Sequence, residues 1–190
     1  MDKELKNRAF RKSVGLSGVV TTLILLVVAV LLAAVVSHYA TALTLTRSQT
    51  EEVRLSKERV WVNTTGAAAA FKLQNVGGRD ILIEGVIVRN IECDWSDLYY
   101  CRVPSGSTMS GEMNITSPSR LTGGNVTIEG RTYKRANADI PLVSGGVLLF
   151  YIKGLTNIRS EDIGTNVGIS VCTNNSQYIT DCRVESATRQ

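Results

Sequence analysis

The stretch Gly15–Ala42, GLSGVVTTLILLVVAVLLAAVVSHYATA, decides how this 190-residue chain is organised. Between Lys12 and Arg47 there is no Lys, Arg, Asp or Glu. About 20 apolar residues in a helix cross the ~30 Å hydrocarbon layer of a bilayer, so Leu16 to Leu45 is long enough to span it. Leu23, Leu25, Leu26, Val27, Val28, Val30, Leu31, Leu32, Val35 and Val36 cover every direction of that helix. A helix apolar on all sides must be buried all round, in lipid or in protein. Gly18, Ala29, Ala33 and Ala34 are small enough to let neighbouring helices pack closely. His38 and Tyr39, near the outer end, read as residues of a membrane boundary.

Charge sets the direction of insertion. Five of the 21 Lys and Arg and two of the 17 Asp and Glu lie in the first 14 residues, so the leader carries +3 and the rest +1. Basic flanks stay on the cytoplasmic side, which places the leader inside and the body outside. A nearly neutral body has no electrostatic footprint for nucleic acid. An ordinary secretory signal has a shorter apolar core and is cut after it. Here the natural cut precedes the apolar run, at Gly15–Leu16, and would leave the helix on the mature chain.

The division expected is therefore a leader over 1–15, a membrane or filament-core helix over 16–46, and an extracellular β domain over 47–190. In the body, apolar alternation marks strands at Val53–Leu55, Arg59–Val62, Ala67–Gln74, Asp80–Arg89, Asn125–Tyr133, Ile140–Val143 and Gly146–Lys153, with a closing hairpin of Asn166–Cys172 and Gln177–Val184. Seven or more short strands punctuated by turns predict an antiparallel immunoglobulin-like β-sandwich, making the whole α+β. Glu92–Gly124, rich in Ser, Gly and Pro, reads as a surface excursion.

Four cysteines, Cys93, Cys101, Cys172 and Cys182, all lie in the body. Their even number suits two disulfides outside the cell. Of three pairings, Cys93–Cys101 and Cys172–Cys182 close the shortest loops and are favoured. Four N-x-Ser/Thr sequons, at Asn63, Asn114, Asn125 and Asn174, follow the apolar stretch, on the side where N-glycosylation would occur.

Catalytic chemistry has little to stand on. The only histidine is His38, so the body has no Ser-His-Asp set. No Gly-rich loop carries a phosphate-binding Lys, and Gly77-Gly78 and Gly123-Gly124 read as turns. Glu92, Asp94 and Asp97 are acidic neighbours that suit Ca²⁺ chemistry, but their spacing fits no calcium loop and a solvated loop is the favoured reading. No enzyme activity, catalytic residue, metal or cofactor is expected. Trp95, Tyr99 and Tyr100 are either binding anchors or the lid of the β core.

Arg11 and Lys12 before the cut, Gly15 at it, and Leu16-Ser17-Gly18-Val19-Val20-Thr21 opening the helix resemble the class III signal of archaeal type IV pilins. The likeness covers roughly residues 8–45. Bacterial type IV pilins usually open with Phe and place Glu fifth; Leu16 and Val20 stand there instead. The resemblance implies a structural pilin that polymerises through its helix and serves adhesion at the cell surface. Its implied partners are copies of itself, a prepilin peptidase, an assembly ATPase and a membrane platform protein. The competing readings are an anchored extracellular binding module that never polymerises, and a component of the archaeal swimming filament or its stator.

Overall fold

A computed structural model describes the backbone of residues 2–104 and 111–187, and their side chains except at 2–17 and 46–48. The chain divides into two compact units, Met1–Arg47 and Ser48–Gln190. The first is a single helix, α1 (Asp2–Gln49). The expected cut at Gly15–Leu16 lies within its backbone, at residues whose side chains are outside the described ones.

Among its described residues the second unit holds eleven strands: β1 (Val53–Asn63), β2 (Gly66–Asn75), β3 (Ile81–Val88), β4 (Ile91–Glu92), β5 (Leu98–Val103), β6 (Asn125–Ile128), β7 (Arg131–Arg135), β8 (Ile140–Leu142), β9 (Val147–Ile152), β10 (Asn166–Thr173) and β11 (Gln177–Ser186). They join in one sheet, ordered β4-β3-β10-β11-β1-β2-β9-β5-β7-β6, with β8 on β3. The α+β plan expected is present, and the strands, expected to be all antiparallel, form one mixed sheet. The parallel pair is β1 with β11, in register Val60↔Val184 and Val62↔Ser186. β11 makes this continuity possible, because its first part pairs with β10 and its last residues reach β1.

Two apolar layers hold the sheet. The larger joins Val60, Ala69, Phe71, Leu73, Phe150 and Ile152 with Ile83, Val86, Val88, Ile169, Val171 and Val184, so it collects residues from both ends of the strand order. Phe71 and Phe150 stack there at 5.0 Å between centroids. The smaller lies on the opposite face of β1, β2, β5, β7 and β9 and contains Trp61, Ala68, Ala70, Tyr99, Tyr133, Leu149 and Tyr151, with Met113 and Leu121 over them. β2 is therefore buried on both faces, and its four-alanine run, Ala67–Ala70, alternates between the two layers.

Two expectations are corrected here. Residues 111–124 do not project as an excursion: Met113 and Leu121 are fully buried and the segment straps the aromatic layer. The remaining part of that stretch, 105–110, lies outside the described residues. All four cysteines are free thiols. Cys172 pairs across the hairpin with Gln177, and Cys182 with Val167. The two cysteines are thus five positions out of step, about 17 Å at the rise of a strand, and on opposite faces. A disulfide needs Cα atoms within about 7 Å. Cys93 packs against the larger layer and Cys101 against the smaller, so the sheet itself separates that pair.

Candidate functional site

Gly18–Leu45 of α1 is long and apolar enough to cross a membrane. At about 1.5 Å per residue its 28 residues reach ~42 Å, more than the hydrocarbon layer. None of it is buried among the described residues: Leu31 and Leu32 are each 60% exposed, and even the least exposed valines, Val27 and Val28, stand at 46% and 45%. Three hydroxyls within the span are satisfied locally. The Thr22, Thr41 and Thr44 hydroxyls donate to the carbonyls of Val19, Ser37 and Ala40, each at 2.9 Å. That back-bonding lets threonine sit in an apolar medium without an orphan donor. Gly18 has open space where a side chain would begin.

At the start of the β body, residues 50–52 thread between two turns. The amides of Val76 and Gly77 donate to Glu52 O at 2.9 and 3.0 Å, and Gly78 N donates to Thr50 O at 3.1 Å. On the other side the Glu51 carboxylate accepts from the Thr173 hydroxyl and, at 3.0 Å, from Asn175 Nδ2, while Tyr178 donates to Glu51 O at 3.2 Å. The entry to the body is thus tied to the β2–β3 and β10–β11 turns.

The aromatic residues divide. Tyr99 is fully buried, its hydroxyl donating to Leu121 O and Gly123 O, and so belongs to the lid of the smaller layer. Trp95 and Tyr100 are half-buried, pack against the larger layer, and open onto a surface depression of about 730 Å³. Ser96, Lys134, Arg135 and Asn137 line the rest of it. Arg102 stands 6.0 Å from the centroid of the Tyr100 ring. Composition had singled out the aromatics but not these cations, because β7 reaches β5 only through the sheet register Tyr100↔Lys134.

Among the described residues no three His, Cys, Asp or Glu side chains gather as metal ligands. Asp97 instead lies 3.7 Å from Lys153 Nζ. The thiols are set by burial: desolvation pushes Cys93 up to about 12 and Cys182 to about 11, and raises Cys101 as well. Such thiols stay protonated and are poor nucleophiles at neutral pH.

Asn114, Asn125 and Asn174 are exposed and Asn63 half-buried. Asn63 Oδ1 accepts from Thr65 N at 2.9 Å and from the Thr65 hydroxyl at 2.6 Å. Thr116, the third residue of the Asn114 sequon, is 5% exposed. Compared with known proteins, the chain matches no family model and no curated protein sequence.

Proposed function

We propose that the chain is a structural subunit of an archaeal type IV pilus-like surface filament, polymerising through α1 and presenting its β body for adhesion. The observation that carries this reading is an uncovered apolar helix preceded by a charged leader that ends at Gly15. In lipid that helix is an anchor; bundled with copies of itself it becomes a filament core. Ala29 and Ala33, one turn apart, give such a bundle a place for close approach. The reading implies a prepilin peptidase to cut at Gly15–Leu16, and an ATPase and platform protein to drive assembly. An immunoglobulin-like class for the body is part of the same proposal. It is supported by the apolar layer shared between both ends of the strand order and by the pairing of the first strand with the last.

The deciding experiment is the N-terminal sequence of the protein isolated from sheared cell-surface filaments. Leu16 at the front, in filaments, supports the proposal. An intact leader on a chain found only in membranes would overturn it. That outcome favours the second reading, an anchored extracellular binding module, which the open depression at Trp95 and Tyr100 also supports.

A further inference from the structure

We propose that the depression at Trp95 binds an acidic glycan, a chain of sugars bearing carboxylates. Two aromatic rings, Trp95 on the 3-10 turn Trp95–Asp97 and Tyr100 on β5, are half-exposed there. Such rings offer flat apolar surface to the C–H face of a pyranose at little conformational cost. Lys134, paired with Tyr100, is exposed on the same face, with Arg102 next to the Tyr100 ring; Arg135, paired with Tyr99, belongs to the opposite face. Neither Lys134 nor Arg102 has an ion pair among the described residues, whereas the nearby Asp97 is matched to Lys153. Two cations on the ring face are therefore open to an anion, and a guanidinium fork fits a planar carboxylate with two parallel hydrogen bonds. Ser96 and Asn137 supply hydroxyl and amide partners for sugar hydroxyls.

A peptide is a poorer occupant. Extended peptides bind by adding to a free strand edge. Here β5 lies between β9 and β7, and β7 between β5 and β6, so the strands lining the depression have no free edge. The shape is open and shallow, which suits a linear polymer lying across it more than a side chain inserted into a pocket.

The proposal rests on the body facing the outside of the cell and not on polymerisation. Asn125 pairs with Lys134 across β6–β7 and faces the same way, so a glycan attached there would crowd the depression. The test therefore uses the full chain carrying Asn125→Gln in polyoxyethylene detergent micelles. Hexagalacturonate is titrated against neutral hexagalactose at low salt, following tryptophan fluorescence. Trp61 is fully buried, so Trp95 reports. Hexagalacturonate is expected to bind at least about tenfold more tightly. R102A/K134A is expected to erase that preference while weak neutral binding stays, and W95A, which lacks the fluorescent reporter and is followed by titration calorimetry, to lose both. R102E/K134E, at exposed positions that leave the core intact, is expected to abolish hexagalacturonate binding. Absence of binding, equal affinity for both sugars, tighter binding of a sulfated hexasaccharide, or unchanged affinity in R102E/K134E would each overturn the proposal. Filament yield from cells is measured in parallel, and normal filaments without glycan binding would leave the pilin reading standing.

Discussion

The indole Nε1 of Trp61 donates a 2.8 Å hydrogen bond to the backbone carbonyl of Thr116, and both residues are buried. The bond fastens the 111–124 strap to the sheet. Around it Tyr151 donates to Asn114 O at 2.9 Å and meets Trp61 and Tyr133 edge-on, at 6.2 and 5.0 Å between centroids. Trp61→Phe removes the donor, strands a buried carbonyl and leaves a small void. A cost of about 2–4 kcal/mol is expected, from an unpaired polar group plus lost packing. Guanidinium unfolding of the full chain in micelles measures it, and protease cleavage between 111 and 124 should accelerate in parallel.

Gly77 is the second sensitive point. A Cβ there would lie 2.5 Å from Thr50 O and 2.6 Å from Glu52 N, both backbone atoms that cannot step aside alone. Gly77→Ala should therefore displace the entry segment and break the bonds from Val76 and Gly77 to Glu52. Hydrogen exchange at those two amides is expected to rise by at least about tenfold, as local opening becomes easier. Gly111, with open space at its Cβ position, is the control whose alanine variant should leave them unchanged.

How much of this was legible in the sequence depends on how local each signal is. α1 was readable because its hydrophobicity is continuous. β3 and the β10–β11 hairpin were readable because β-branched alternation and the Thr173–Ser176 turn lie within one short window. Asn125–Tyr133 was expected as a single strand but folds into β6 and β7, with Glu129 and Gly130 both at positive φ in the turn. The Glu-Gly pair is a weaker turn signal than Asn-Gly, and the flanking alternation continues through it. β5 was hidden because it is buried on both sides, so Leu98–Val103 does not alternate cleanly. The strap was misread for a different reason. Its Ser, Gly and Pro content is that of a loop, and it is a loop; only the long-range bonds from Trp61, Tyr99 and Tyr151 reveal that it covers a core. The depression required β7 to be laid beside β5, a register no local pattern encodes.

The thiols yield a prediction opposite to the sequence expectation. Intact mass should not change on reduction, and four thiols should react after denaturation. In the folded chain at pH 8, iodoacetamide should label the half-exposed Cys101 and Cys172 before Cys93 and Cys182. Burial holds Cys93 near 12 and Cys182 near 11, so their thiolate fractions at pH 8 are minute. A mass gain of two hydrogens per bridge on reduction would show that oxidised pairs form, against the register described above.

Asp162 gives the pH dependence. The hydrogen bond from Arg89, at 2.6 Å, and then the Arg159 amide, at 2.9 Å, hold its carboxyl below the usual carboxylate range. A group whose folded pKa is lowered contributes stability above its unfolded pKa, about 3.9 for Asp, and loses it as pH falls through the folded value. Asp162→Asn should therefore be less stable than the parent at pH 6, with the difference closing on acidification below pH ~4. Unfolding curves at several pH values test the sign; a gap that widens in acid would contradict it.

Two exposed apolar residues separate the roles of the two units. Leu31, on α1, is 60% exposed, and Ile179, on β11, is 65% exposed. By exposure alone they are equivalent. Leu31 lies mid-span, however, where an arginine costs about 2.5–3.5 kcal/mol of insertion free energy. Leu31→Arg should shift a large share of the chain out of the membrane pellet and, if the helix is a filament core, leave no filaments in the sheared fraction. Ile179→Arg places the same charge on a solvated sheet face, where surface substitutions fall within about 0.5 kcal/mol. It should leave membrane recovery, filament yield and unfolding midpoint unchanged. Equal effects of the two variants would mean that α1 is not what holds this protein in lipid or in a filament.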